Sequence, residues 1–352
     1  MALDPSLTAL SPLDGRYRDQ LEKISSLFSE FGLISHRVKV EVEYLLFLSQ
    51  RNIIPNITEK EKRFLRKLLA EFNENDAKEI KKTEKITKHD VKAIEYFVTK
   101  KLKKNKSSFA PYVHIALTSE DTNALAYSLM LSQAKKKIIV PQLQSILIEL
   151  GTIIHSNAHI PMLARTHGQA AVPTTVGKEF AVFAQRLLSE LLFLEHIQIE
   201  GKLNGAVGNF NAHAIAFPQM NWMKLSREFI TALGLKPALV TTQVLPQENM
   251  SQLFGCLLRI NGILLDLNQD LWRYISDGSF IQKLEERQVG SSTMPQKINP
   301  IDFENSEGNL GLANNLLSHF IQKLPISRLQ RDLSDSTVKR NFGVAIGHCS
   351  LA

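Results

Sequence analysis

The segment 290–300 places two hydroxyls, an ammonium and a carboxamide within a few residues of one another: Ser291, Ser292, Lys297 and Asn299. It begins with glycine, contains two prolines and fits neither helix nor strand periodicity, so it is predicted to be a loop. A plain Gly/Ser/Pro connector is the ordinary interpretation of such a loop. The ammonium and the carboxamide close behind the serines favour a second one, in which the loop binds a carboxylate beside a proton acceptor.

Three further segments are polar, several of them glycine-rich, and are predicted to connect helices. They are Leu117-Thr118-Ser119-Glu120-Asp121, Arg165-Thr166-His167-Gly168-Gln169 and the segment 204–211. Loops on a rigid scaffold concentrate functional residues. Each segment also has an ordinary alternative. Thr118-Ser119 is typical of a helix N-cap, His167 of a hydrogen-bonded structural histidine, and the segment 204–211 of a plain turn.

Long helices must position these loops. Apolar residues at helical spacing predict helices over 119–140, 143–154, 176–200, 247–275 and 301–324. Pro141 is expected to kink or end the helix that precedes it. Strand alternation is nearly absent, and only 239–245 is predicted to pair locally. The predicted fold class is all-α, a bundle of long helices with its chemistry on the connecting loops.

Residues 1–111 are predicted to form a smaller, all-helical N-terminal domain. An apolar stripe covers 19–49, a capping box at Thr58-Glu59-Lys60-Glu61 begins a helix through Phe72, and another helix covers 90–104. A linker at 105–111 then leads into the central long-helix bundle, residues 112–352.

Composition and charge describe an ordinary soluble chain of 352 residues, 44% hydrophobic and 22% charged, that can bury a sizeable core. The net charge of +7 fits either a nucleic acid or membrane partner or a polyanionic small substrate. The lysine runs between 78 and 106 lack interleaved aromatic residues, which favours a solvated helix face over a single-strand binding site. Neither a phosphate-binding loop nor a dinucleotide fingerprint nor a convincing metal-ligand spacing is present.

The two cysteines, Cys256 and Cys349, lie among apolar residues and form neither a metal spacing nor a disulfide framework, which indicates a reducing compartment. The N-terminus lacks a signal pattern, and no uninterrupted apolar run reaches membrane-spanning length. We therefore expect a cytoplasmic protein that binds no membrane.

Motifs spread along most of the chain resemble the adenylosuccinate lyase family of the fumarase/aspartase superfamily. The loop at 290–300 and the Thr166-His167-Gly168 turn are similar to the superfamily as a whole. The narrower family is indicated by the segment 301–310 and by three motifs: Ser11-Pro12-Leu13-Asp14-Gly15-Arg16-Tyr17, Thr87-Lys88-His89-Asp90-Val91-Lys92 and Arg331-Asp332-Leu333-Ser334-Asp335-Ser336.

The resemblance implies a reaction. Adenylosuccinate is split by β-elimination into AMP and fumarate, and succinylaminoimidazole carboxamide ribotide (SAICAR) into the carboxamide (AICAR) and fumarate, both in purine biosynthesis. Such chemistry needs a base for the proton α to a carboxylate, an acid for the departing nitrogen, and donors for the growing charge. The resemblance makes Ser291 the base, His167 the acid and Glu304 the carboxylate that orients the imidazole of His167.

The resemblance also implies a set of substrate-binding residues. The fumaryl carboxylates fall to His89, Thr118, Ser119, Lys297 and Asn299. The nucleotide part falls to Arg16, Tyr17, Lys88, Asp90, Gln243, Ser292, Ile298, Asn305, Arg331, Ser336, Thr337, Val338, Lys339 and Arg340. No metal or organic cofactor is implied. Family members are homotetramers whose sites combine residues of three subunits.

The chain departs from the family pattern in a few places. Gln296 stands where many members carry His, and Lys88 stands where Asn or Arg is frequent. Members continue past Ala352 into a small helical C-terminal domain, which this chain is expected to lack. Two alternatives stay open: another fumarate-releasing lyase, such as an argininosuccinate lyase, and a non-catalytic helical scaffold or nucleic-acid binder.

Overall fold

In the computed structural model, which describes residues 4–283, 294 and 297–352, most residues lie in helices. In chain order these are α1 (Glu22–Phe28), α2 (Glu30–Gln50), α3 (Glu59–Ala70), α4 (Glu74–Thr87), α5 (Asp90–Lys104), α6 (Ser119–Ala134), α7 (Val140–Ser156), α8 (Val176–His196), α9 (Asn211–Ala216), α10 (Trp222–Ala232), α11 (Glu248–Ser276), α12 (Ile301–Lys323), α13 (Ser334–Lys339) and α14 (Phe342–Leu351). The mostly helical fold class expected from the sequence is confirmed.

Local signals explain where several of these helices begin. The predicted capping box at α3 is present: the Thr58 hydroxyl accepts from the backbone N–H of Glu61, whose carboxylate accepts from the backbone N–H of Thr58. The imidazole of His89 caps α5 by accepting from the backbone N–H of Lys92 at 3.1 Å. Helix α4 was not predicted, because it buries only Ala77 and Ile80 and therefore shows little apolar periodicity.

The expected break at Pro141 is replaced by a change of helical register. A π-helical turn, Lys135–Ile139, joins α6 to α7, and the backbone N–H of Val140 donates to the carbonyl of Lys135. This wider turn takes up one extra residue just before the proline, which has no N–H to donate, so the chain stays helical. The result is one rod of 38 residues, Ser119–Ser156.

Two small sheets interrupt the helices. Strands β1 (Pro161–Thr166) and β2 (Gln169–Thr175) form an antiparallel hairpin whose turn is made by His167 and Gly168, with φ of 54° and 71°. Strands β3 (Glu200–Gly201) and β4 (Lys236–Pro237) pair in parallel. The predicted strand at 239–245 is wrong, since its polar groups bond to the glycine-rich loop instead; Thr241, for example, pairs with the side chain of Asn204.

The long helices α7, α8, α11 and α12 pack side by side, and their shared core continues into α2 and α6. At the centre, the rings of Phe254, Phe320 and Phe342 lie 4.9 to 5.3 Å apart between centroids. This core runs across the predicted boundary at residue 111, and the division into two domains stays a prediction.

By length and composition alone, the helices Ser119–Ser156 and Glu248–Ser276 are apolar enough to cross a membrane. The core helices of soluble proteins meet the same criterion. Helix α11 packs against α8 and α12, as such core helices do.

Candidate active site

Five separate segments of the chain meet at a cleft of about 520 Å³. They are the middle of α2, the start of α5, the start of α6, the loop before α11, and the segment from 331 through α13 and Arg340. The predicted substrate-binding residues that line the cleft are His89, Asp90, Thr118, Ser119, Gln243, Arg331, Ser336, Lys339 and Arg340. Asp90 and Arg340, for example, are 250 positions apart in sequence and are brought together by the fold.

Hydroxyl and imidazole groups meet at the starts of α5 and α6. The Ser119 hydroxyl lies 3.5 Å from Nε2 of His89. Because Nδ1 of His89 accepts the backbone N–H of Lys92, the proton of the neutral ring lies on Nε2. Thr118 occupies the N-cap position of α6, as the alternative interpretation expected. Thr118 therefore holds the N-cap position while the next residue, Ser119, lies beside His89.

Cations of the cleft are held by buried carboxylates. Glu120, 3% exposed, bridges Lys339 at 3.1 Å and Arg331 at 3.2 Å. Both cations also pair with Asp335, at 2.7 and 2.9 Å. Although burial acts to lower the pKa of Lys339, Glu120 and Asp335 raise it on balance, so its ammonium stays charged. The network fixes α13 against the start of α6.

A second ion cluster lies around Asp90. Its carboxylate accepts from Arg37 at 2.7 Å and from Arg340 at 3.3 Å. Burial acts to raise the pKa of Asp90, but Arg37 and the backbone N–H of Val91 hold it below its ordinary value. Asp90 is therefore ionised at neutral pH and orients both guanidinium groups.

Five residues that the sequence did not single out also line the cleft: Arg37, Glu120, Asn123, Tyr127 and Leu333. A signal was available for Arg37, which is a buried charge within the apolar stripe of α2. Glu120 lies between motif residues that were singled out. Asn123 and Tyr127 follow Ser119 at successive intervals of four, which places them on one face of α6.

Other predicted residues lie around the cleft or on neighbouring surfaces. Thr337 is exposed and Val338 packs partly into the core, both on α13. Lys88 is exposed and has φ of 54° at the end of α4. The Arg16 guanidinium lies 5.8 Å from the centre of the Tyr17 ring. Their turn borders a second cavity, of about 390 Å³, that shares Arg340 with the cleft.

The remaining predicted groups lie at the other end of the long helices. His167 is exposed at the tip of the β1–β2 hairpin, and within the described residues it makes no hydrogen bond or ion pair. Glu304 lies in the first turn of α12, where its carboxylate accepts from the indole N–H of Trp272 at 3.1 Å. Asn305 follows it, and Lys297, Ile298 and Asn299 immediately precede the helix. Ser291, Ser292 and Gln296 lie outside the described residues.

The two groups of residues are far apart in one chain. Helix α11 begins at the cleft end with Glu248 and reaches Trp272 after 24 residues, which correspond to roughly 36 Å along the helix. The rod Ser119–Ser156 also leads away from the cleft towards the hairpin that carries His167. A single chain therefore does not bring His167 or Glu304 to Ser119.

Comparison with known proteins places this arrangement in a family. A protein-family model described as "Lyase" matches residues 15–313. The adenylosuccinate lyase of Haemophilus influenzae is 47% identical over 352 residues, covering 99% of this chain and 77% of that protein. The adenylosuccinate lyases of Buchnera aphidicola from Acyrthosiphon pisum and of Escherichia coli K12 are 48% and 46% identical over the same shares.

The fold agrees with a solved structure. The crystal structure of a fumarate lyase from Mesorhizobium sp. BNC1 superposes with a TM-score of 0.75 at 18% identity, covering 94% of this chain and 73% of that one. That likeness shows a shared fold. The relatives that are similar in sequence show the family. The chain belongs to the adenylosuccinate lyase family.

Proposed function

We propose that the protein splits adenylosuccinate into AMP and fumarate, and SAICAR into AICAR and fumarate, by β-elimination. The residues that line the cleft support this proposal. It sets hydroxyl and imidazole donors, Thr118, Ser119 and His89, beside the cations Arg331 and Arg340. A substrate with carboxylates at one end and a phosphate at the other needs both kinds of group, because planar guanidinium groups bind phosphate oxygens in pairs.

In the proposed reaction, Ser291 removes the proton α to a carboxylate as an alkoxide base, and the resulting aci-carboxylate is held by hydroxyl, ammonium and amide donors. His167 then protonates the nitrogen as the C–N bond breaks. Glu304 faces the other ring nitrogen of His167, which keeps the imidazole oriented and favours its protonated form. Lys297 and Asn299, just ahead of α12, bind the fumaryl carboxylates.

We propose that each active site is shared between subunits of a homotetramer. The separation of roughly 36 Å along α11 supports this, since one chain cannot place His167 and Ser119 on one succinyl group. Antiparallel association of the long helices brings the hairpin end of one chain to the cleft end of another. Exposed apolar residues along the bundle, such as Leu192, Phe193 and Leu312, fit such an association.

We further propose that residues 1–111 and 112–352 act as an N-terminal domain and a central bundle, and that the protein works in the cytoplasm. The free thiols of Cys256 and Cys349 support a reducing compartment.

The direct test is fumarate release. Purified protein is incubated separately with adenylosuccinate, SAICAR and argininosuccinate. We expect fumarate from the first two alone. Ser291→Ala should lose at least about 100-fold in kcat, whereas Thr293→Ala, which removes a neighbouring hydroxyl, serves as the matched control. Release from argininosuccinate alone would assign a different lyase, and no release from any substrate would favour a scaffold.

Sharing of sites is tested by mixing subunits. The variants His167→Ala and Arg331→Ala should each be inactive, because each lacks a side chain that every site needs. Co-expression of the two variants should restore about a quarter of wild-type activity, since random assembly combines an intact His167 with an intact Arg331 at one site in four. Mixed oligomers with no recovered activity would place both residues in a site built from one chain.

A further inference from the structure

A buried hydroxyl of the cleft has no hydrogen-bond partner among the residues that the structure describes. Tyr127 lines the cleft with only 4% of its surface exposed, and within the described residues its Oη forms no hydrogen bond. Leaving a phenol hydroxyl buried and unpaired lowers the stability of the free protein. Such a group in a native structure therefore calls for an explanation.

The position of Tyr127 follows from the helix that carries it. Ser119, Asn123 and Tyr127 lie at intervals of four residues on α6, so they share one face and span about 12 Å. Ser119 is at the end assigned to the carboxylates, and Tyr127 lies two turns further along. Its ring packs against Phe342 with centroids 5.8 Å apart, which fixes the direction of the side chain.

Three cations and one carboxylate that line the cleft act on the hydroxyl. Burial raises the pKa of Tyr127, Arg37, Arg340 and Lys339 act to lower it, and Glu120 acts to raise it. The phenol therefore keeps its proton at neutral pH and is a hydrogen-bond donor. An O–H donor that lines the same cleft as two guanidinium groups and an ammonium is suited to an anionic oxygen. Arg340 is one of the residues to which the nucleotide part of the substrate is assigned.

We propose that the Tyr127 hydroxyl donates a hydrogen bond to a phosphate oxygen of the bound nucleotide. The unpaired state in the free protein is then the cost of holding a donor ready for that oxygen, and substrate supplies the missing acceptor. The identity of the ligand rests on the proposed function; the placement of the donor rests on the geometry of the cleft.

Tyr127→Phe tests this with little disturbance of shape. Tyr44 provides a matched control, because its hydroxyl is also buried and without a partner in the described residues, but its ring packs against Phe229 and it does not line the cleft. Both Phe variants should melt about 1–2 °C above wild type, since each removes an unpaired buried hydroxyl.

Only Tyr127→Phe should weaken nucleotide binding. By calorimetry, its Kd for AMP should rise on the order of tenfold, while Tyr44→Phe binds AMP like wild type. Inhibition by fumarate should be unchanged in both variants. Equal AMP affinity in wild type and Tyr127→Phe overturns the inference, as does a wild type that binds no AMP. A change confined to fumarate inhibition also overturns it, because the hydroxyl then serves a carboxylate.

Calorimetry separates this inference from the proposed function. A wild type that binds AMP but releases no fumarate from adenylosuccinate contradicts the function while the Tyr127 comparison still decides the inference. Full activity with equal AMP affinity in the two proteins contradicts the inference alone.

Discussion

The carboxylate of Asp121 and the ammonium of Lys202 lie 2.8 Å apart, and neither side chain has any exposed surface. Asp121 also accepts from three backbone N–H groups, those of Thr118, Asn204 and Gly205. Lys202 also donates to two backbone carbonyls, those of Gly205 and Gln243. The ion pair therefore joins the start of α6, the glycine-rich loop and Gln243, and so holds two walls of the cleft at a fixed spacing.

Removing one partner of this pair should destabilise the protein strongly. We expect Lys202→Met to lower the free energy of unfolding by about 3–5 kcal/mol, because it leaves a buried carboxylate without its cation. Urea denaturation followed by circular dichroism measures the loss. The double variant Asp121→Asn/Lys202→Met should lose less than the sum of the two single variants, since it leaves no unpaired charge.

A surface pair supplies the control. Lys236 pairs with Glu200 at 2.9 Å, but about half of the Lys236 side chain is exposed. Lys236→Met should therefore change stability by less than about 1 kcal/mol. A similarly small effect for Lys202→Met would show that the buried pair does not hold the cleft walls together.

Gly208 should tolerate no side chain. Its φ is +78°, and a Cβ at this position would lie 2.0 Å from the backbone carbonyl oxygen of Thr241. Gly208→Ala must therefore move the chain that leads to Gln243. We expect a loss of about 3 kcal/mol or more in the free energy of unfolding, from overpacking together with left-handed strain. Chemical denaturation measures it.

Substitution of Gly234 distinguishes the effect of overpacking from the effect of left-handed strain. It has nearly the same φ, +77°, but nothing lies within 4 Å of a Cβ built there. Gly234→Ala should lose only the conformational part, about 1–2 kcal/mol. Equal losses at the two positions would mean that the loop around Gly208 shifts freely and that the contact with Thr241 does not constrain it.

The thiol of Cys256 should be unreactive in the folded protein. Burial, with help from the neighbouring carboxylate of Glu190, raises its pKa to about 12, and only a thiolate attacks a disulfide reagent. In a Cys349→Ser variant, Cys256 is the one remaining cysteine of the chain. Ellman's reagent at pH 8 should release no colour until urea is added, and then one equivalent. Rapid labelling without urea would contradict the buried position.

The sequence predicted elements best where apolar periodicity and a cap agree. Helix α5 begins at Asp90 as expected, and Thr58 caps α3 as expected. The sequence did not reveal the π-helical turn before Pro141, because a shift of hydrogen-bond register leaves no mark on composition. It also missed the β1–β2 hairpin, whose strands are largely exposed and so lack a buried face.

The fold brings nine of the residues named from the motifs to one cleft, and their roles there stay predictions. His89, Ser119 and Arg331 lie together although they are distant in sequence. Arg37 and Tyr127 were missed because a buried polar group within an apolar helix becomes recognisable only when its neighbours are known. The meeting of Ser291 and His167 at one substrate depends on how chains associate, which the sequence of one chain does not specify; it stays a prediction.

Folding stability should depend on pH through His114. His114 lies in the segment that precedes α6, where its φ is +60°. Its Nδ1 lies 2.7 Å from a carboxylate oxygen of Glu41, whose side chain is fully buried. Burial acts to lower the pKa of His114, but Glu41 opposes burial with its charge and its hydrogen bond, and the net effect is a raised pKa. Glu95 and Asp121 act in the same direction. The folded protein therefore binds this proton more tightly than the unfolded chain does.

The sign of the effect follows from linkage. The stability that His114 contributes is fully present below the unfolded pKa of about 6.5 and is lost as pH rises through the higher folded value. We expect the stability difference between wild type and His114→Asn to shrink from pH 6 to pH 8.5, with a slope of at most about 1.4 kcal/mol per pH unit. Asn suits the position because it accepts the φ of +60° found there.

Comparing the two proteins isolates His114 from other histidines. His36, His213 and His348 have pKa values lowered by burial, so they reduce stability as pH falls below 6.5. Their contributions occur in both proteins and cancel in the difference. Parallel stability profiles for wild type and His114→Asn across this range would show that Glu41 does not hold a proton on His114.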